Sequence, residues 1–260
     1  MSDPLRAFEL AGPAAAAALD WLHVHCDLAG ALERDDGAVQ VWLHGALPAL
    51  PAIAVTVREL PVHAADFEVT GLEHDRPILV AADLLVRPPW VERPAGFRGV
   101  ELVVPRGNAF GSGEHASTQA ALRCLHRAWD APASFADVGT GSGILALYAA
   151  ARGCSQLQAC DIEAAAVVAA QALLPQATVR RGGAEVLSPA DCVVANLTAA
   201  ELHAALPAVL ACWRGRSPLV LGGMRAHEVA GVLERLGTPP VDRETIGAFT
   251  AIVMAPRTSR

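Results

Sequence analysis

Asp137-Val138-Gly139-Thr140-Gly141-Ser142-Gly143 follows an apolar stretch at 134–136 and precedes a helix-like run at 144–151. Glycine loses more backbone entropy on folding than any other residue, so three of them in five positions need a physical reason. The simplest is a tight strand-to-helix turn over which a ligand lies directly against main chain. The next apolar strand, Leu157-Gln158-Ala159-Cys160, runs into Asp161. That is about the spacing at which nucleotide-binding α/β folds set an acid against a ribose. Glycine turn and spaced acid together point to a cofactor that carries a nucleoside.

Outward from this point, strand and helix alternate. Strands are expected at 135–138, 157–162, 178–181, 191–196 and 218–221, the last stopped by Gly222-Gly223. Helices are expected at 144–152, 164–174, 199–213 and 225–236. Two β-rich runs, 241–246 and 249–254, meet at Gly247 and read as a terminal hairpin. The pattern predicts an α/β fold, doubly wound, with a mostly parallel sheet and an antiparallel hairpin at the C-terminal end. The first part differs. A strand at 5–11, a helix at 13–26 with Pro13 in its first turn, and strands at 28–33 and 39–43 make a small α+β domain over residues 1–72. Residues 73–106, rich in Pro and Arg, read as a connector with short strands at 84–86 and 100–104, and 107–260 as the large domain.

The 260 residues suffice for two domains, and 53% hydrophobic with 18% charged residues is a globular composition. No apolar run reaches membrane-spanning length without a charge. Met1-Ser2-Asp3-Pro4 lacks the basic start of a signal peptide, so a cytoplasmic location is expected. The six cysteines form no Cys-x-x-Cys pair and the nine histidines no His-x-x-x-His pair, so no metal site is expected. A net charge of −7 weighs against non-specific nucleic-acid binding. All 20 basic residues are Arg, so no side chain here is its own target for lysine chemistry.

Gly141, Gly143 and Ala146 also satisfy a dinucleotide spacing, which keeps an NAD-dependent oxidoreductase open. Asp137 favours a different ligand. A carboxylate two residues before the first glycine sits poorly beside a pyrophosphate and well beside an ammonium and a sulfonium, as in S-adenosylmethionine. Asn196 ends another strand and supplies a polar group at the carboxyl edge of the sheet, where open α/β folds bind ligands. Upstream lies Asn108-Ala109-Phe110-Gly111-Ser112-Gly113-Glu114-His115-Ala116-Ser117-Thr118. Phe110 is either a cover for the cofactor or a core aromatic. His115 either orients or deprotonates a ligand or is a structural group. Thr118 either caps the following helix or contacts ligand, and Asp161 is also a candidate helix cap.

In order and spacing, residues 108–118, the glycine turn, Asp161 and Asn196-Leu197 resemble PrmA, the family that methylates ribosomal protein L-eleven. That family's loop reads approximately A-F-G-T-G-x-H-x-T-T, and its later strand V-A-N-[IL], here Val194-Ala195-Asn196-Leu197. The resemblance covers about residues 76–256. It implies a seven-stranded methyltransferase fold, S-adenosylmethionine as methyl donor, and lysine and terminal amines of a ribosomal protein as acceptors. Thr118, Gly139, Asp161 and Asn196 are then donor contacts, joined by Phe110, Gly111, Asp137, Gly141, Gly143 and Ile162; Asn196, Phe110 and His115 are the catalytic candidates. The small N-terminal domain, which that family uses for substrate recognition, matches loosely, and 164–170 lacks the family's Asp-Pro and Asn-rich pattern. Another protein's lysine, a small amine, or a non-catalytic donor-binding module are the alternatives. A base methyltransferase is disfavoured because Asn196-Leu197-Thr198-Ala199 offers no prolines and no aromatic to stack on a flipped base.

Overall fold

Burial on one face or on two decides which strands take the centre of each sheet. In a computed structural model, the described residues are 5–26, 28–34, 36–51, 54–61, 76–105 and 111–257. They belong to two units, Met1–Glu73 and His74–Arg260.

The first unit contains β1 (Leu5–Ala11), α1 (Ala15–His25), β2 (Leu28–Glu33), β3 (Val39–His44) and β4 (Thr56–Leu60). Its antiparallel sheet has the order β2-β3-β1-β4. One face buries Phe8, Leu10 and Val41 against Leu19 and Leu22 of α1. Glu9, which alternates with Phe8 and Leu10 along β1, pairs with Arg34 at 3.4 Å and Arg58 at 2.9 Å. β4 arises in a stretch to which the sequence pattern assigns no element.

The second unit begins with β5 (Ile78–Ala81), β6 (Leu84–Arg87) and β7 (Val100–Val103). These form a three-stranded sheet, antiparallel between β5 and β6 and parallel between β6 and β7. Two short strands were expected in this stretch, and three are present. The prolines and arginines that dominate its composition cluster at 87–98. The apolar residues around that link point inward: Val80, Leu84, Val86, Leu102 and Val104 share one hydrophobic core with Phe135, Leu145 and Tyr148.

The remaining elements are α2 (Ala116–Arg127), β8 (Ser134–Val138), α3 (Ile144–Ala151), β9 (Gln156–Asp161), α4 (Ala164–Leu173), β10 (Thr178–Arg181), β11 (Cys192–Asn196), α5 (Ala199–Cys212), β12 (Leu219–Arg225), α6 (Val229–Leu236), β13 (Asp242–Ile246) and β14 (Phe249–Met254). The sheet order is β10-β9-β8-β11-β12-β14-β13. β10, β9, β8, β11 and β12 are parallel neighbours, and β14 runs antiparallel to both β12 and β13. This is the expected seven-stranded doubly wound α/β sheet. Alternate residues of the central strands feed opposite cores. Phe135 and Val194 join the core under α2 and α3, while Ala136, Val138, Val193 and Ala195 join the core under α5.

The closing hairpin inserts its second strand beside β12. Sequence dictates the choice: Phe-Thr-Ala-Ile-Val-Met of β14 is nearly all buried, whereas Asp-Arg-Glu-Thr-Ile of β13 alternates and takes the edge, where charge protects it. Asp242 and Glu244 pair with Arg127 at 2.8 and 2.7 Å, and Glu244 with Arg123 at 3.0 Å, which ties that edge to α2. One boundary differs from expectation. Gly222-Gly223 does not end β12; the strand continues to Arg225 through a register shift between Leu221 and Met224, because β14 goes on pairing with it. The helix expected from 225 consequently starts at Val229. Among the described residues no helix is long and apolar enough to cross a membrane, and no His/Cys/Asp/Glu group is placed to hold a metal.

Phe135 is fully buried in β8, its ring 6.2 Å from that of Trp129. Phe135→Ala leaves a cavity there and is expected to cost about 3–5 kcal/mol of stability. Urea denaturation followed by tryptophan fluorescence should show a lower midpoint; an unchanged one would contradict this packing.

Candidate cofactor site

β8 delivers the chain into Gly139–Gly143, whose three glycines have φ of 68°, 53° and 93°. A side chain is strained at such values, and space is closed as well. A Cβ on Gly139 would lie 2.2 Å from Leu197 Cδ2. One on Gly143, the N-cap before α3, would meet Leu174 Cδ1 at 3.0 Å and Ala170 Cα at 3.4 Å. The sequence reading put ligand against this backbone. At these two glycines the neighbour is the protein itself: the residue after Asn196, and α4.

The turn is fastened to the end of β9. The N–H groups of Gly139 and Thr140 both donate to the Cys160 carbonyl, at 2.9 and 3.0 Å. Gly141 N–H donates to Asp161 Oδ2 at 2.9 Å, and Glu163 N–H to Asp161 Oδ1 at 3.0 Å. Asp161 therefore clamps the glycine turn and shapes the entry to α4, whose cap position belongs to Glu163. A carboxylate has about four acceptor positions, so it retains capacity for hydroxyl donors. Beside it Ile162 is 66% exposed, an apolar side chain without a core to enter.

Asp137 is fully buried. Its Oδ2 accepts from Thr140 Oγ1 at 2.7 Å and from Ala146 N–H at 3.2 Å. Its Oδ1 has no partner among the described residues. Burial pushes the carboxyl up to about 7; Thr140 and Ala146 pull the other way, and the charge of Asp161 adds to the rise.

Asn196 ends β11, next to β8 in the sheet. Its Nδ2 donates to Ser117 Oγ at 3.5 Å, and its Oδ1 is buried without a partner among the described residues. Ser117 Oγ is 2.7 Å from His115 Nδ1, and Ser117 N–H donates to that nitrogen at 3.3 Å. His115 is thus the cap of α2, the place offered to Thr118 by the sequence reading. Its ring stands edge-on to Phe249 of β14 at 4.6 Å. Thr118 lies inside the helix, buried, with Oγ1 unpartnered among the described residues. Gly111 accepts from Ser142 Oγ at 2.7 Å, which joins the upstream loop to the glycine turn. Phe110 lies outside the described residues.

Two clusters result. Asp137, Gly139, Gly141, Gly143, Asp161 and Ile162 surround the β8 turn, with Gly111 attached through Ser142. His115 and Asn196 meet through Ser117, and Thr118 follows Ser117 in α2. Sequence reasoning passed over Ser117, Thr140, Ser142 and Leu197, although all four lie inside the quoted motifs. Short hydroxyl residues at turns and first helical turns bond to nearby backbone and side chains, and that was the available signal.

Buried polar atoms in folded proteins find partners in protein, water or ligand. Here Thr118 Oγ1, Asp137 Oδ1 and Asn196 Oδ1 have none among the described residues. Asn196 Oδ1 is a pure acceptor, and so is Asp137 Oδ1 once a nearby cation draws off its proton, so these atoms suit a cationic ligand group with N–H donors and disfavour a pyrophosphate. Asp161 with Ile162 suits a ribose and an adenine face. The residues fit S-adenosylmethionine.

The family model for ribosomal protein L11 methyltransferases (PrmA) matches residues 34–244. The chain belongs to the PrmA family. It is 40% identical over 147 residues to a ribosomal protein L11 methyltransferase of Gloeobacter violaceus, covering 53% of this chain and 45% of the relative. With one of Desulfitobacterium hafniense it shares 29% over 199 residues, 74% of this chain and 64% of the relative. The chain thus spans less than two thirds of the length of these curated relatives. A solved ribosomal protein L11 methylase from Lactobacillus delbrueckii subsp. bulgaricus has the same fold, with a TM-score of 0.63 at 24% identity over 70% of this chain and 98% of that one. Every described residue of the two clusters falls within the PrmA match; β1, α1 and β2 precede it.

The raised Asp137 pKa carries a sign. The folded state holds the proton up to about 7, whereas an unfolded aspartate releases it near 3.9. Its contribution to stability is therefore complete below about pH 4 and lost as pH rises through about 7, on the order of 4 kcal/mol in all. Without donor, Asp137→Asn should remove that fall from a stability profile measured by urea denaturation between about pH 4 and 8. A profile identical to wild type would mean that the carboxyl is not buried in this way.

Proposed function

We propose that this chain transfers methyl groups from S-adenosylmethionine to lysine and N-terminal amines of ribosomal protein L11 in the cytoplasm. The observation that carries the reading is the trio of buried oxygens on Thr118, Asp137 and Asn196 that have no partner among the described residues, within a PrmA-matched chain. In this reading Asp137 Oδ1 and Thr118 Oγ1 receive the polar methionyl end of the donor. Asp161 accepts from the ribose, Ile162 covers the adenine, and the Gly139–Gly143 turn and Gly111 line the donor. When bound, the donor supplies a sulfonium-borne methyl: the amine lone pair forms the N–C bond as the C–S bond breaks with its pair to sulfur, and the new ammonium gives a proton to water.

What the chain contributes is placement. A lysine amine has an unperturbed pKa of about 10.4, so the site must desolvate it to expose its lone pair. Asn196 Oδ1 then accepts an N–H of the neutral amine and aims the pair, while His115 holds the start of α2. Such orientation supplies up to about 7–11 kcal/mol in ideal cases. The unit Met1–Glu73 is the proposed acceptor-recognition domain. Nucleic acid is not read directly, in keeping with the net charge of −7. The second reading, an amine on another protein, is favoured by the family match starting at residue 34, which leaves β1, α1 and β2 outside it.

The deciding experiment incubates the protein with labelled donor and ribosomal proteins from a methylation-deficient source, then identifies the labelled band by mass spectrometry. Label on L11 is expected; label confined to another protein would select the second reading. Asp161→Ala is expected to raise the donor Kd roughly 10–100-fold, the loss of one or two hydrogen bonds to a charged group, and an unchanged Kd would contradict its assignment. Asn196→Ala is expected to lower kcat at saturating donor by about 100-fold, and full turnover would remove it from the mechanism.

A further inference from the structure

Three polar contacts run in series between α2 and β11. Ser117 N–H donates to His115 Nδ1 at 3.3 Å, Ser117 Oγ lies 2.7 Å from the same nitrogen, and Asn196 Nδ2 lies 3.5 Å from Ser117 Oγ. The series has a direction. A backbone N–H can only donate, so His115 Nδ1 is an acceptor and carries no proton. The Ser117 hydroxyl has one proton, and beside a bare nitrogen it points that proton there, sharing the single Nδ1 lone pair with the Ser117 N–H. Its oxygen is left with lone pairs, which the NH2 end of Asn196 satisfies. The amide is thereby held with Oδ1 turned away from Ser117.

An amide's oxygen and nitrogen have nearly the same shape, so packing alone does not choose between the two orientations; the hydrogen-bond network does. Ser117 is 2% exposed, so solvent does not compete for its hydroxyl. The far side of the amide packs close to main chain: a Cβ on Gly222 of β12 would lie 2.7 Å from Asn196 Oδ1.

From this polarity we infer that Ser117 is a positioning residue that locks the Asn196 amide with its oxygen toward the acceptor amine, an inference that rests on the methyl-transfer reading above. The orientation matters for the step itself. The amine pair forms the N–C bond, the C–S pair goes to sulfur, and the resulting ammonium releases its proton to water, so the amine nitrogen must keep its pair free for carbon. An amide oxygen accepts an N–H and leaves that pair alone. The reversed amide presents an N–H that engages the pair and blocks attack. Ser117 itself takes up no charge and no proton.

The test compares Ser117→Ala, Ser117→Thr, Asn196→Ala and the Ser117→Ala/Asn196→Ala pair. Ser117→Ala is expected to lower kcat roughly 10–100-fold, while the donor Kd from calorimetry stays within about twofold. Ser117→Thr keeps the hydroxyl and is expected to recover most of the turnover. The double variant is expected to be no slower than Asn196→Ala, because the two act as one unit. Full kcat in Ser117→Ala, or losses that simply add, would overturn the inference. A second readout does not depend on turnover: nitrogen-proton correlation spectra of the histidine rings in the whole protein. A bare His115 Nδ1 supports the proposal, and a protonated Nδ1 overturns it. Normal labelling of amines with a protonated Nδ1 removes the positioning role alone. A protein that binds donor but labels no amine removes the methyl-transfer reading and the role together.

Discussion

The N–H of Gly141 donating to the Asp161 carboxylate at 2.9 Å holds the turn after β8 onto the end of β9. The remaining features of the site are arranged around that link. The turn can be this tight because glycines occupy its left-handed positions, and it is located because two more of its N–H groups share the Cys160 carbonyl. Once the turn is placed, Asp137 is sealed beneath it by Thr140 and the first turn of α3, and Ser142 reaches across to Gly111. A carboxylate kept dry at the floor and another kept wet at the rim give one loop two different electrostatic characters. The dry one favours a permanent cation, and the wet one favours neutral hydroxyls.

Much of this was legible in the sequence because it rests on local periodicity and on glycine. The parallel strands, the helices between them and the hairpin all follow from apolar alternation, and the glycine turn and Asp161 were found by spacing. What escaped depends on pairing between distant segments. Nothing local in Gly222-Gly223 says that β14 will keep bonding past it and carry β12 to Arg225. Nothing in Leu197 alone says that its side chain occupies the space a Cβ would need at Gly139. The three-stranded sheet of β5, β6 and β7 was hidden for a different reason: the composition of 73–106 is set by the prolines and arginines of its exposed link, while a few inward residues decide its structure.

The candidate site divides in the same way. Residues proposed to meet ligand through their own chemistry, an acid or an amide at a strand end, can be picked from a string. Residues that act by fixing a neighbour cannot, because the neighbour is unknown until the chain is folded. His115 is the instructive case. Its position before a helix suggested a proton carrier or a structural group, and the structure gives it the role of helix cap, with Nδ1 shared between the backbone and the hydroxyl of Ser117. The hydroxyl connects that cap to Asn196 on a strand 79 positions away in the chain.

The placement of β14 between β12 and β13 has a consequence for how the protein is made. β12 is almost wholly buried, and half of its ladder belongs to β14, which comes after every other strand of the sheet in chain order. During synthesis the apolar flank of β12 has no strand beside it until that segment has emerged, so the half-built sheet is an open, sticky edge. Phe249, which opens β14, is also the ring against which His115 stands. The entrance of α2 therefore gains its support only when the sheet closes, and a nascent chain cannot possess a finished site before its final strand has docked.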